Sequence, residues 1–248
     1  MENYSSTEAL FSSVSVDCVI LGFDGKSLQM LLMSRQGKET NSEYNDFKFP
    51  GSIIYANEDL DMAAERAVRD ITGLKNIKLR QFKSFGSPYR TSNPRDTRWL
   101  ENATRQKIGR IVTVCYITLI KMNQRRGAFS KEYDVKWFDV TDTTVKLAFD
   151  HTLILLEALA EIRRQVIYNP AIIFDLLPKK FTARELRMAY STLFNKNYDV
   201  RNFYKKFIEN EKYIVDLEEK ERNVTHRAAR YFRFDRKAYI KVHRGKIR

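Results

Sequence analysis

The sequence is poor in the residues that metals, disulfides and membranes require. Its two cysteines, Cys18 and Cys115, both lie inside strongly apolar runs (VSVDCVIL and IVTVCYITLI) with no CxxC spacing and no histidine nearby. That placement argues against a metal site and for buried thiols in a reducing compartment. The three histidines, His151, His226 and His243, are too scattered for a metal site or a catalytic triad. No apolar run approaches the ~20 residues needed to cross a bilayer, and MENYSSTEALFSS lacks the basic and apolar regions of an export signal. A cytoplasmic protein without membrane attachment is expected. Internal repeats and low-complexity tracts are also absent.

What is present suits two folded domains. The chain has 248 residues, 43% hydrophobic and 12% aromatic, enough to build real cores. Its net charge of +13 is unevenly spread. Residues 169–248 hold 20 Lys+Arg against 10 Asp+Glu, whereas the rest holds 24 against 21. A basic last third points to an anionic partner, nucleic acid or membrane, for that part of the chain.

Strands are expected at Val14–Leu21 and Ser27–Ser34, joined through Asp24-Gly25, then a short Phe47–Phe49 run ending at Pro50-Gly51. Asn57–Thr72 reads as a helix capped by Asn57, with Leu60, Ala63, Ala64, Ala67, Val68 and Ile71 as its apolar stripe and Gly73 at its end. Further strands fall at Lys78–Phe85, Ile108–Lys121 and Val135–Val140, with Ser87–Lys107 between the first two as a long polar loop. Asp150–Val166 is an amphipathic helix, and Asn169-Pro170 marks the boundary between domains at 1–168 and 169–248.

In the second domain, Pro170–Leu176 can form a short helix. Thr182-Ala183-Arg184-Glu185 then matches a capping box opening a helix to Phe194, with Leu186, Ala189, Tyr190 and Leu193 inward. Asp199 can cap a second helix to about Asn210, with Val200, Phe203 and Phe207 buried and Arg201, Asn202, Lys205 and Lys206 outward. This is the pattern of a helix-turn-helix whose second helix enters the major groove, where Arg201 could read guanine and Asn202 adenine. Two β-prone runs, Tyr213–Leu217 and Arg230–Phe234, flank a basic loop as a wing would, placing Arg222, His226, Arg227 and Arg230 near phosphate or the minor groove. The tail KAYIKVHRGKIR adds positive charge.

Residues 49–74 resemble the Nudix box, G-x5-E-x7-R-E-U-x-E-E-x-G-U with U a bulky apolar residue. The box sets several carboxylates on one helical face to hold magnesium against a pyrophosphate. Glu58, Arg66, Val68, Gly73 and Leu74 match it; Ser52 replaces the glycine, Ala67 and Ile71 replace two glutamates, and Asp70 replaces a third. Hydrolysis is therefore not expected, nor any metal or other cofactor. Together with the segment from Asn169 to Asp235, the chain resembles the Nudix-related transcriptional regulators, and its eroded box is similar to their arabinose-responsive branch. The resemblance implies an α+β architecture, an N-terminal Nudix-like mixed-sheet α/β/α sandwich followed by a C-terminal winged helix-turn-helix. It also implies a homodimer on a palindromic double-stranded operator, repressing sugar-utilisation genes until L-arabinose enters the old Nudix cleft. Lys48, Asp96, Arg98 and Trp99 are the candidate contacts to that effector, between the Lys48–Tyr55 segment and the Ser87–Lys107 loop. ADP-ribose sensing in NAD metabolism is the alternative, and a residual pyrophosphohydrolase is a third reading.

Overall fold

A computed structural model describes residues 12–35, 44–105, 107–122, 129, 133–222, 225 and 227–243. The chain divides into two compact units. One gathers the described parts of Met1–Ile20, Met30–Thr118 and Gly127–Ala158, the other those of Leu21–Gln29, Leu119–Arg126 and Leu159–Arg248.

The long apolar runs become the central strands of the first sheet. β1 (Ser12–Phe23) and β6 (Arg110–Lys121) lie side by side, with β2 (Leu28–Ser34) and β3 (Phe47–Lys48) beyond β1 and β5 (Arg80–Phe85) beyond β6. β4 (Gly51–Ile53) also pairs with β1, and β7 (Val135–Asp139) with β2. From Cys18 to Leu21, β1 has no exposed residue, so both of its faces are covered. A strand buried on both sides reads as a continuous apolar run rather than an alternation. Between β1 and β2, the Asp24 carboxylate accepts the Lys26 and Ser27 amides at 2.8 Å each, and Gly25 takes φ 97°, which favours glycine.

The box helix α1 (Leu60–Thr72) starts later than expected. Its cap is Asp59, which accepts the Met62 amide at 2.7 Å, and Asn57 stays outside. Gly73 ends the helix at φ 73°, its amide bonded to the Arg69 carbonyl at 2.8 Å. The small residues Ala63, Ala64 and Ala67 are buried, and Ala64 lets the backbone approach β1, where Cys18 Sγ lies 3.8 Å from its carbonyl. Both cysteines are free and buried, as their apolar surroundings imply. The expected loop 87–107 is instead largely a helix, α2 (Pro94–Thr104), capped by the Asn93 side chain with Pro94 in its first turn. α3 (His151–Tyr168) follows β7.

In the second unit, a short 3-10 turn (Pro170–Asp175) precedes β8 (Phe181–Thr182) and α4 (Ala183–Phe194). Thr182 and Glu185 close the capping box, with the Thr182 amide donating to Glu185 at 2.7 Å and the Glu185 amide to Thr182 Oγ1 at 3.2 Å. Leu186, Ala189, Tyr190 and Leu193 are buried as expected. α5 (Val200–Tyr204) is capped by Asp199 and runs into a π-helical turn, Lys205–Glu209. Of the expected stripe, Phe203 is buried, Phe207 is half-buried and Val200, in the first turn, is 63% exposed; the wider turn at 205–209 brings Ile208 into the core as well. β9 (Ile214–Lys220) and β10 (Arg230–Phe234) pair antiparallel, β10 pairs with β8, and the tail supplies a further helix, α6 (Arg236–His243). A mixed sheet with helices, followed along the chain by a winged helix, is the architecture observed.

Candidate effector cavity and nucleic-acid interface

The first unit contains a cavity of about 610 Å³ beside the antiparallel pairing of β1 and β4. Their register puts Asp17 opposite Gly51. A Cβ at Gly51 would lie 2.2 Å from Asp17 Oδ1 and 2.5 Å from the Val16 carbonyl, so only glycine fits there. Lys48 and residues Gly51 to Ala56 form one side of the cavity, and α2 contributes Trp99, Leu100, Ala103 and Thr104 on another. The cleft lies where the sequence places it, between the 48–55 segment and the 87–107 region.

Its floor is polar and buried. Asp17 accepts the Thr113 hydroxyl at 2.8 Å, with Arg90 Nη2 at 3.7 Å and His151 Nε2 at 3.6 Å. Burial works to raise the Asp17 carboxyl, but His151, Lys48, Arg90 and the Thr113 hydroxyl outweigh it and hold it below the usual carboxylate value. Arg90 is itself clamped by Asp150, through Nε at 3.0 Å and Nη2 at 2.9 Å. His151 Nδ1 accepts the Phe49 amide at 3.0 Å, which assigns the proton to Nε2, the nitrogen facing Asp17. Burial brings the imidazole down to about 4, so it is neutral at pH 7. Lys48 is 6% exposed and donates to the carbonyls of Phe49 at 3.1 Å and Gly51 at 3.3 Å. Burial is the main cause that pulls its ammonium below the ordinary lysine value.

The box helix presents little metal-binding chemistry. Glu58 spends both carboxylate oxygens on Arg66, with Nη2 at 2.8 Å, and also accepts the Tyr55 amide at 3.1 Å. Arg66 in turn reaches Ser52 Oγ at 3.1 Å and the Ile53 carbonyl at 3.0 Å, under the Tyr55 ring. Ala67 and Ile71 are buried apolar residues, and Asp70 is exposed beside Arg69. Among the described residues, no three His, Cys, Asp or Glu side chains gather where they could hold a metal ion.

Of the four candidate contacts, the structure brings two to the cavity. Lys48 and Trp99 line it, with the ammonium 5.6 Å from the indole ring centre. Asp96 does not: it is buried in an ion pair with Arg35 at 2.6 Å, a structural role the sequence did not show. Arg98 is exposed on the outer side of α2 and is not in the wall. The sequence reading missed Asp17, Arg90 and His151. A lone aspartate in the middle of an apolar strand was the available signal, since such a residue is rarely buried without partners.

In the second unit, Arg187 Nη1 ties α4 to the turn by donating to the Tyr198 carbonyl at 3.1 Å. Phe203 packs against Tyr190 with ring centres 5.6 Å apart, fixing the face α5 turns outward. Arg201, Asn202, Lys205 and Lys206 are all exposed, as a recognition element needs. On the wing, Arg222 and Arg227 are exposed and Arg230 pairs with Asp216 at 3.0 Å, so a phosphate would have to compete for it. His226 lies outside the described residues. The cationic surface therefore comes from the start of α5, its π-helical turn and the wing together.

Comparison with known proteins divides the chain in the same order. The NUDIX domain family matches residues 12–159, and the NrtR DNA-binding winged helix domain matches residues 173–234. The ADPR responsive transcriptional repressor NtrR of Acinetobacter baylyi is 25% identical over 245 residues, covering 94% of this chain and 90% of its own. The crystal structure of Shewanella oneidensis NrtR complexed with a 27mer DNA superposes with a TM-score of 0.68 at 22% identity, covering 91% of this chain and 95% of that one. A MutT/nudix family protein from Enterococcus faecalis gives a TM-score of 0.63 at 22% identity, over 95% and 89% of the two chains.

Proposed function

Since this chain belongs to the Nudix family, and within it to the NrtR-like Nudix-related regulators, we propose that it is a DNA-binding transcriptional repressor released by ADP-ribose or a closely similar nucleotide. The observation that carries the reading is the pairing of a roomy Nudix cavity with a basic winged helix on one chain. L-arabinose, the effector expected from the sequence, gives way here. A pentose would fill only a small part of about 610 Å³, whereas a nucleotide diphosphate sugar suits a volume of that class. Tyr55, Trp99 and Phe149 supply aromatic faces for a base, and Lys48, Arg66 and Arg90 supply positive charge. The Acinetobacter baylyi relative, described as ADPR responsive, supports the same choice. On this reading the controlled genes belong to NAD metabolism rather than to sugar utilisation.

The Nudix domain is a sensor and not a hydrolase. Two box positions that need carboxylates are Ala67 and Ile71, and a third acid, Glu58, is locked by Arg66. The protein acts as a homodimer on a palindromic operator, its two recognition elements about 34 Å apart to meet successive major grooves. Nucleotide binding shifts the dimer between geometries only through its differential affinity for them. A thermal-shift screen of the full chain with pentoses and nucleotides tests the effector. A rise in melting temperature with ADP-ribose and none with L-arabinose is expected; the reverse pattern would overturn the proposal.

A further inference from the structure

A Nudix cleft ordinarily meets a diphosphate through magnesium held on carboxylates, and the donor set of this chain does not fit that ion. Magnesium wants near-octahedral oxygen ligation. Among the described residues, Glu58 is spent on Arg66, positions 67 and 71 are apolar, and Asp70, at the cavity's exposed rim, pairs with Arg69 at 3.1 Å. The charge of a diphosphate must then be met by cations of the chain itself.

Among the described residues, three cations line the cavity, and their partners differ. Arg66 is neutralised by Glu58 and Arg90 by Asp150, each in a two-point carboxylate contact. Lys48 is the exception. Among the described residues its ammonium touches no carboxylate within hydrogen-bond distance, only the Phe49 and Gly51 carbonyls, which engage two of its three donors. Leaving a 94% buried ammonium without a direct counter-ion is costly, and Asp17 compensates only through space. The Trp99 ring beside the ammonium and the backbone carbonyls beneath it fix its position, so it needs no reorganisation when an anion arrives.

We propose that the Lys48 ammonium is the fixed cation for the effector's diphosphate, so that nucleotide binding needs no divalent metal. The inference rests on the nucleotide-effector reading above. It also accounts for how a box that has lost its carboxylates can still serve a diphosphate ligand: a built-in monocation takes over the electrostatic part of the metal's role, but not its Lewis-acid part.

Isothermal titration of the full chain with ADP-ribose, once with magnesium and once with excess EDTA, tests it. The affinity is expected to agree within about twofold between the two conditions. Lys48→Met should weaken ADP-ribose about tenfold or more, as loss of a charge-assisted contact implies, while leaving adenosine binding unchanged. Inorganic pyrophosphate should displace ADP-ribose from the unmodified chain in EDTA, a measurement that does not depend on the variant folding. Binding that collapses in EDTA, survives Lys48→Met, or resists pyrophosphate would overturn the role of Lys48 alone. No binding of ADP-ribose in either condition would overturn the effector reading, and this inference with it.

Discussion

Arg35 lies in a buried ion-pair network, so its removal would strand a buried carboxylate. Its side chain is fully buried at the end of β2, donating to both oxygens of Asp46 at 2.6 and 2.5 Å and to Asp96 Oδ1 at 2.6 Å. The rings of Tyr44, Phe149 and Trp99 surround the guanidinium at 4.9, 5.1 and 5.7 Å. Arg35→Met would keep much of the volume and remove the charge. Breaking a buried pair by deleting one partner costs about 3–5 kcal/mol, because the surviving charge stays buried. Asp46 would retain Arg95 at 2.9 Å, so the stranded group is mainly Asp96, and a loss of about 3 kcal/mol is expected. Both tryptophans, Trp99 and Trp137, lie in the first unit, so urea denaturation followed by tryptophan fluorescence reports on that unit. Adding Asp96→Asn to Arg35→Met should recover part of the loss, and Asp96→Asn alone should leave ADP-ribose affinity unchanged. A cost below about 1 kcal/mol, within the range of an exposed pair, would mean that Arg35 and Asp96 are not a buried, unscreened pair.

Gly51→Ala should destabilise the first unit by about 1–3 kcal/mol and weaken effector binding, since the new methyl meets Asp17 and the Val16 carbonyl at 2.2 and 2.5 Å; unchanged melting would contradict the close approach. His151 is held neutral by burial, with its folded value near 4 below the unfolded one near 6.5. The stability it contributes is therefore present above about pH 6.5 and lost as pH falls toward 4, and His151→Gln should flatten a melting profile recorded across that window. Arg201→Ala should cost about 1–3 kcal/mol against the preferred operator and little against altered sequences, read by competition binding; a uniform loss would make Arg201 a phosphate contact. Lys206→Ala should instead weaken all sequences alike and lower the salt slope by about one.

The elements that the sequence made legible are those whose signal is local. The capping box at Thr182–Glu185, the Asp24-Gly25 turn and the apolar runs of β1 and β6 each declare themselves within a few residues. α2 was hidden because its stripe is short and, apart from Asp96, none of its residues is buried, although Asn93-Pro94 is a readable helix start. β4 is only three residues long, too short for an alternation to show. Between Asp59 and Asn57 the choice of cap was decided by a neighbour: Glu58 is drawn to Arg66, eight residues on. The cavity floor was the least legible part. His151 meets the Phe49 amide across 102 residues and Asp17 meets Thr113 across 96, pairings that no local pattern encodes. Lys48 and Trp99 were found because they lie on the segments that the box resemblance and the long polar stretch single out. The same reasoning brought in Asp96 and Arg98, since it could not tell a wall residue from a structural ion pair or a solvent-facing side chain.

Release of the winged helix from DNA by a nucleotide in the Nudix cavity can be followed directly. A fluorescent duplex recovered by in vitro selection on the full chain is bound to it, and anisotropy is followed as ADP-ribose or L-arabinose is added. ADP-ribose is expected to free the duplex at concentrations where L-arabinose leaves it bound. Release by L-arabinose alone, or a complex indifferent to both, would contradict that expectation.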